Sequence, residues 1–356
     1  MKAHIVLLPG DGIGPEVVAA ARRVLEEIGT ARGHTWTFTS KPIGGAALQK
    51  NLPPLPDDTL AAALAADAVL LGAVGDPAYE KLPPSERPES ALLKVRRELG
   101  VFANLRPARS WPGLEQSGPL KPEVFAGTDL VVVRELLGGL YYGEPRGTDP
   151  ATGAVVNTMR YTRPEIERVA HVAFRLARKR RRDLVSVDKA NVLEVSQFWR
   201  TVVTEVGRGY PDVTLSHQLV DSCAMKLALA PAGFDVVLTE NMFGDILSDE
   251  AGAVCGSLGL LPSASLGSGP GLFEPVHGSA PDIAGQSKAN PIGAIGSAAM
   301  LLADGLGLHE DSALIVRAIE RALADGLRTA DIMSPGHRLA STTEFTDAVV
   351  AGIRRD

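Results

Sequence analysis

Short apolar runs alternate with amphipathic segments along the N-terminal part of the chain. The run His4 to Leu8 reads as a strand, the apolar periodicity from Pro15 to Ile28 as a helix, and Thr35 to Thr39 as a second strand. A helix near Asp57 to Ala66 and a strand near Ala68 to Leu71 continue the pattern. Such alternation predicts an α/β fold with a largely parallel sheet and covering helices. From Phe102 the texture changes: residues 106–123, RPARSWPGLEQSGPLKPE, form a loop rich in proline and glycine, followed by a strand at Leu130 to Val133. Residues 138–156, GGLYYGEPRGTDPATGAVV, read as an excursion with hairpin strands. Strands near Leu184 to Val187, Val213 to Val220 and Asp235 to Thr239 then restore the α/β pattern. The segment after Cys255 is glycine-rich, then helical, with too few strand candidates for a sheet of its own, so it is expected to return to the first domain. The expected organisation is a discontinuous domain one over 1–101 and 256–356 and a domain two over 102–255. A cleft is expected between them, the kind of place where small-molecule sites occur.

Composition narrows the function classes. The 356 residues carry 36 basic and 42 acidic side chains, a formal charge of −6, which gives no general attraction to nucleic acid or to an anionic membrane. A local exception, Arg178 to Arg182, closes a segment whose apolar positions Ile166, Val169, Ala170, Ala173, Phe174 and Ala177 follow helical spacing. It reads as a solvated helix end favoured by the dipole. With only Cys223 and Cys255, neither a disulfide framework nor a multi-cysteine zinc site can be built, and a reducing compartment is expected. The start lacks a signal-peptide pattern and no apolar run reaches transmembrane length, so the expected location is the cytoplasm, away from the membrane.

The chemistry centres on Asp245 and Asp249 in ENMFGDILSDEAG, residues 240–252. At i and i+4 on a helix they share a face and repel unless a cation or donor lies between them. Simple preference of acidic residues for a first helical turn is the competing reading. Asp221 closes the strand SHQLVD and offers a third carboxylate; three carboxylates suit Mg²⁺ or Mn²⁺, and the lack of histidine and cysteine argues against zinc. Arg96, Arg106 and Arg134 stand in LLKVRREL, FANLRP and VVVREL, and guanidinium groups converging on one cavity would suit a di- or tricarboxylate. Pairing of each with a structural acid is the alternative. Lys189, after the strand DLVSVD, is a candidate base if desolvated, or else a surface or interface lysine. LLPGDGIGPE, residues 7–16, fails the dinucleotide fingerprint: its glycines give G-x-G-x-G with Pro15 following, which points to a tight structural turn. EPVHGSAPDIAGQSKANP, residues 274–291, is a loop able to approach a ligand closely, with Asp282 a candidate for sugar hydroxyls and His277 a catalytic, bracing or stacking histidine.

Taken in order, LLPGDGIGPE, FANLRPA, the RELxGGxY pattern at 134–141, SVDKANVLE, FGDILSDE, GLLPSASLG and EPVHGSAPDIAG resemble the β-decarboxylating dehydrogenases of the isocitrate/isopropylmalate dehydrogenase family. The match covers nearly the whole chain. It implies the two-domain fold of that family with a central cleft, not a classical Rossmann fold, in a homodimer. Activity is expected to be NAD-dependent oxidative decarboxylation of 3-isopropylmalate, in leucine biosynthesis.

By motif, the resemblance assigns Arg96, Arg106 and Arg134 to the substrate carboxylates and Asp221, Asp245 and Asp249 to Mg²⁺ or Mn²⁺. Lys189 is the implied base and Tyr141 the implied acid. The counterparts of Lys189 and Asp221 reach into the neighbouring subunit's site. NAD is expected on His277, Gly278, Ser279, Ala280, Pro281, Asp282, Ile283 and Asn290, with Asp282 repelling a 2′-phosphate and Lys288 softening that repulsion. Leu92 and Leu93 lie where an isopropyl group is contacted, joined by Val192, whereas isocitrate enzymes typically place a serine near Leu92. An apolar wall leaves an extra carboxylate unpaired. Glu89 is expected beside substrate and nicotinamide. Leu137 departs from the usual threonine, and Gly293 and Gly296 lower helix propensity, which bears on stability or domain motion. Tartrate, D-malate or homoisocitrate as substrate, a metal-dependent hydrolase, and a non-catalytic ligand-binding relative are the alternatives.

Overall fold

The computed structural model describes residues 1–115 and 117–355. Contacts divide the chain into two units: Met1–Val101, Trp111–Pro119 and Gly256–Asp356 form the first, and Phe102–Ser110 with Leu120–Cys255 the second.

In the first unit the strand Lys2–Gly10 lies between the parallel strands Thr35–Ser40 and Ala68–Ala73. Gly271–Pro275 adds to Ala68–Ala73 in parallel, and Pro262–Gly267 pairs antiparallel with Gly271–Pro275. All six residues of Ala68–Ala73 are buried, as a strand covered on both faces requires. Helix Gly14–Arg32 has a proline in its first turn and ends at Gly33 in the left-handed region, and it buries Val17, Val18, Ala21, Val24, Leu25 and Ile28 at helical spacing. It packs against helices Ile292–Met300 and Thr342–Ile353. The segment Trp111–Pro119 is held in this unit by Arg328, fully buried, which donates to the Gly113 carbonyl at 2.5 Å, and by Ser117, which donates to the Ile332 carbonyl at 3.2 Å.

The second unit has its own strand series. All but the first residue of Val101–Arg109 belongs to it, and this strand pairs antiparallel with Asp129–Glu135. Val236–Thr239 lies parallel to Asp129–Glu135, Asp183–Asp188 parallel to Val236–Thr239, and Thr214–Leu219 parallel to Asp183–Asp188. Helix Arg163–Lys179 buries Ile166, Val169, Ala170, Ala173, Phe174 and Ala177, the six apolar positions of the predicted stripe. The basic run at its end is solvated as expected, with Arg178, Lys179, Arg181 and Arg182 exposed and Arg180 half-buried. Arg178 meets Asp212 at 2.6 Å, and Arg180 bridges the buried Asp235 at 2.7 Å and Asp129 at 2.9 Å. Burying Asp235 requires such a partner, so Arg180 adds a structural task to the solvated helix end. Within the excursion, Gly147–Thr148 and Val155–Val156 form a short antiparallel pair. Among the described residues no helix is long and apolar enough to cross a membrane.

Candidate active site

In the second unit the parallel strands deliver their functional side chains at their C-terminal ends, the edge where open α/β sheets bind ligands. Arg134 lies in register with Thr239 near the end of its strand. Thr239 runs through Glu240 into helix Asn241–Val254, which carries Asp245 and Asp249. Lys189 follows the strand Asp183–Asp188, and Asp221 is the second residue of helix Val220–Leu229, which starts where Thr214–Leu219 stops.

Asp245 and Asp249 do share a helix face, and arginines meet them. Arg134 donates to Asp245 Oδ1, while Arg106 stands 3.3 Å from the same oxygen and donates to Asp249 at 3.2 Å. Ser248 accepts from Arg106 at 2.7 Å, and Asn104 accepts from its Nε at 2.8 Å. The Tyr141 hydroxyl donates to Asp245 Oδ2 at 2.9 Å, and the Arg134 guanidinium lies 5.6 Å from the centroid of its ring. Burial pushes the Tyr141 hydroxyl up to about 12, with the Asp245 charge adding to the shift. Partial burial also raises the Asp249 carboxyl, against the pull of Arg106. This close approach depends on Gly244: a Cβ there would stand 2.3 Å from Thr239 Oγ1 and 2.7 Å from Arg134 Cγ.

Lys189 and Asp221 form a separate pair at 2.6 Å, and the Lys189 hydrogen bond holds the Asp221 carboxyl below its ordinary range. Among the described residues no three His, Cys, Asp or Glu side chains of one chain are grouped to hold a metal ion. The donor set at Asp245 and Asp249 nevertheless fits a hard divalent cation, being two carboxylates turned to the same side with arginines as their present charge partners. Val192 is two-thirds exposed.

The first unit holds the other predicted residues in two places. Helix Pro88–Leu99 presents Glu89, Leu92, Leu93 and Arg96 at spacings of three and four, hence on one face. Leu92 and Leu93 are half-buried, Glu89 is exposed, and the buried Arg96 donates to Glu274 at 2.7 Å. The second place is a cavity of about 280 Å³ lined by Ile13, His277, Ala280, Ile283, Lys288, Asn290 and Asp331 among others. The N-terminal turn braces it, since the Ile13 amide donates to the Ser279 carbonyl at 2.8 Å and Glu16 accepts from the Gly285 and Ser287 amides. Ala280 is held at φ +36°, a strained position for a residue with a Cβ. The His277 Nδ1 lies 2.9 Å from the Gly278 carbonyl, which fixes the proton on Nδ1 and leaves Nε2 an acceptor. That Nε2 is buried with no protein partner, and burial lowers the His277 pKa so that the ring is neutral. An orphaned acceptor, apolar walls and the Asn290 amide suit a nucleotide base. Gly278, Pro281 and Asp282, in the same loop, are exposed.

Three groups escaped the sequence reading. Asn241 is fully buried against Arg134, Ser248 fixes Arg106, and Asp331 accepts from Ser257 at 2.5 Å and Asn290 at 3.0 Å in the cavity wall. Asn241 and Ser248 sit inside the acidic motif as uncharged residues without a signal of their own, and Asp331 lies in no motif.

Comparison with known proteins is consistent over the whole chain. Residues 4–349 match the sequence profile described as isocitrate/isopropylmalate dehydrogenase. A 3-isopropylmalate dehydrogenase of Aquifex aeolicus strain VF5 is 52% identical over 356 residues, spanning 99% of this chain and 98% of that protein. One from Synechococcus sp. strain JA-3-3Ab is 55% identical over 355 residues, spanning 98% and 93%. In three dimensions, the isocitrate dehydrogenase of Methylococcus capsulatus superposes with a TM-score of 0.88 at 34% identity, covering 99% of both chains.

Proposed function

The chain belongs to the isocitrate/isopropylmalate dehydrogenase family, and we propose that it is an NAD-dependent enzyme that converts (2R,3S)-3-isopropylmalate to 4-methyl-2-oxopentanoate and CO₂ in leucine biosynthesis. The family makes it an oxidoreductase; substrate, cofactor, metal and residue roles are our reading. The observation that carries the reading is Asp245, whose carboxylate accepts from both Arg134 and Tyr141. A cation ligand, a carboxylate-binding cation and a proton donor thereby meet at one side chain.

Arg106 and Arg134, with Arg96, bind the substrate carboxylates in this reading. Leu92, Leu93 and Val192 form the apolar wall for the isopropyl group, and Glu89 lies by the nicotinamide. Asp245 and Asp249, with the partner subunit's Asp221, hold Mg²⁺ or Mn²⁺. When bound, that cation supplies Lewis acidity toward the substrate hydroxyl and carboxylate, and NAD supplies the hydride acceptor. The partner subunit's Lys189, which accompanies Asp221, takes the proton of the C2 hydroxyl. Loss of the β-carboxylate follows, and Tyr141, protonated at neutral pH, delivers a proton to the substrate carbon. His277, Gly278, Ser279, Ala280, Pro281, Ile283 and Asn290 hold the adenosine half of NAD, with Asp282 on the ribose hydroxyls.

Two features support a homodimer. Helices Val220–Leu229 and Asn241–Val254 pack together yet leave Met225, Leu229 and Ile246 more than half exposed, a cost that a second copy would relieve. Asp221, paired with Lys189, stands apart from Asp245 and Asp249 within one chain.

The test is a spectrophotometric panel of 3-isopropylmalate, D-malate, tartrate, homoisocitrate and isocitrate with Mn²⁺ and either NAD or NADP. Highest kcat/KM is expected for 3-isopropylmalate with NAD. A different preferred acid would overturn the substrate assignment, and preference for NADP the role of Asp282.

A further inference from the structure

We infer that Asn241 is a positioning residue for the reaction, one amide that aligns the substrate-binding guanidinium of Arg134 with the turn that carries Tyr141. The inference rests on the roles given above to Arg134 and Tyr141.

The Asn241 side chain is fully buried at the first position of helix Asn241–Val254. Its Oδ1 accepts two hydrogen bonds from Arg134, from Nε at 3.0 Å and from Nη2 at 2.7 Å. Two bonds from one edge of a planar guanidinium to a single acceptor fix the plane, and the other terminal nitrogen, Nη1, donates to Asp245. The Nδ2 of the same amide donates to the Gly138 carbonyl at 3.0 Å. Gly138 begins the short turn through Gly139–Tyr141 that presents the tyrosine hydroxyl to Asp245. Asparagine is suited to this place because it alone offers an acceptor and a donor on one short planar group. Aspartate keeps the acceptor but loses the donor and sets a second oxygen against the Gly138 carbonyl. Alanine loses both.

The position of Asn241 is itself fixed from behind. Its backbone N–H donates to the Tyr161 hydroxyl at 3.0 Å, and Glu240, which caps the helix by accepting from the Met242 and Phe243 amides, lies beside that hydroxyl. Glu135 accepts from the Leu137 and Gly138 amides on the other side of the turn. Burial raises both carboxyl groups. The amide therefore cannot swing without breaking bonds on both elements.

Asn241→Ala and Asn241→Asp are to be compared with wild type and with Arg134→Lys. Readouts are KM for the acid the wild type prefers, KM for NAD, kcat and melting temperature. For Asn241→Ala, the acid KM should rise and kcat fall, each by about tenfold or more, with KM for NAD within about threefold of wild type. For Asn241→Asp, kcat should fall by about tenfold while the acid KM stays within about threefold, since the acceptor for Arg134 survives. A folded Asn241→Ala variant with wild-type constants, or a parallel rise in both KM values, would overturn the inference. So would loss of folding in both variants, which would make Asn241 a structural residue. If Arg134→Lys binds the acid normally, the reading of Arg134 fails instead, and the inference with it.

Discussion

Tyr141 donates its hydroxyl to Asp245 across 2.9 Å, so the residue we assign as proton donor is anchored on a carboxylate we assign to the metal. Tyr141→Phe should therefore lower kcat by about 10²- to 10⁴-fold, the range of a lost general acid, with a small change in substrate KM. The hydroxyl is pushed up from 10.0 to about 12, so the stability it contributes is whole below pH 10 and is lost as pH rises toward 12. Melting curves of the phenylalanine variant should be flatter over that alkaline window. Steady-state kinetics and thermal melts check both halves.

His277 shifts the other way. Burial depresses its pKa below 6.5, so its contribution to stability is complete above that pH and fades as pH falls through the lowered value. NAD binding should weaken over the same acid window, because protonated Nε2 no longer accepts a hydrogen bond. Calorimetric titration of NAD against pH should show this for wild type and a flatter dependence for His277→Gln. Equal dependence in the two proteins would remove His277 from the cofactor site.

Lys189 pairs with Asp221 at 2.6 Å, and neither residue is buried in a hydrophobic core. As the base, it should be indispensable to turnover and dispensable for folding. Lys189→Met is expected to lose at least about 10³-fold in kcat, while calorimetry still detects substrate with Mn²⁺. Near-normal kcat would exclude it as the base.

Shared sites predict complementation. Asp245→Asn and Asp221→Asn homodimers should each be almost inactive, and mixed subunits should regain activity in the one site per heterodimer that is intact. Native mass spectrometry can prove the exchange. Exchange without recovered activity would mean that each chain completes its own site.

Gly244 lets the acidic helix approach Arg134, and a methyl group there meets Thr239 Oγ1 at 2.3 Å. Gly244→Ala should cost about 1–3 kcal/mol in stability, as overpacking does, and raise substrate KM through displaced Arg134. Denaturant melts and kinetics would reveal either effect.

Much of this was legible in the chain because strand runs and helical stripes are local patterns. The stripe from Ile166 to Ala177 is buried as its spacing predicts, and Arg134 and Lys189 stand out because charge at the end of an apolar strand has little structural reason to be there. The strands Pro262–Gly267 and Gly271–Pro275 were not legible: both are glycine- and proline-bearing, and while they pair with each other, Gly271–Pro275 is also held by Ala68–Ala73, far away in the chain. Gly293 and Gly296, expected to weaken a helix, have a packing reason. A Cβ at Gly293 would lie 2.9 Å from the Leu261 carbonyl, and one at Gly296 3.0 Å from Pro262. Arg106 illustrates the other limit. Sequence offered it a substrate carboxylate or a structural acid, and the structure gives it Asp249, a pairing that spacing of 143 residues does not disclose.

The most direct test uses 3-isopropylmalate labelled at the β-carboxylate, with Mn²⁺ and NAD. NADH, labelled CO₂ and 4-methyl-2-oxopentanoate are expected in equal amounts, with none formed once the metal is chelated. No NADH, or NADH formed while the label stays in the organic acid, would contradict the proposed reaction.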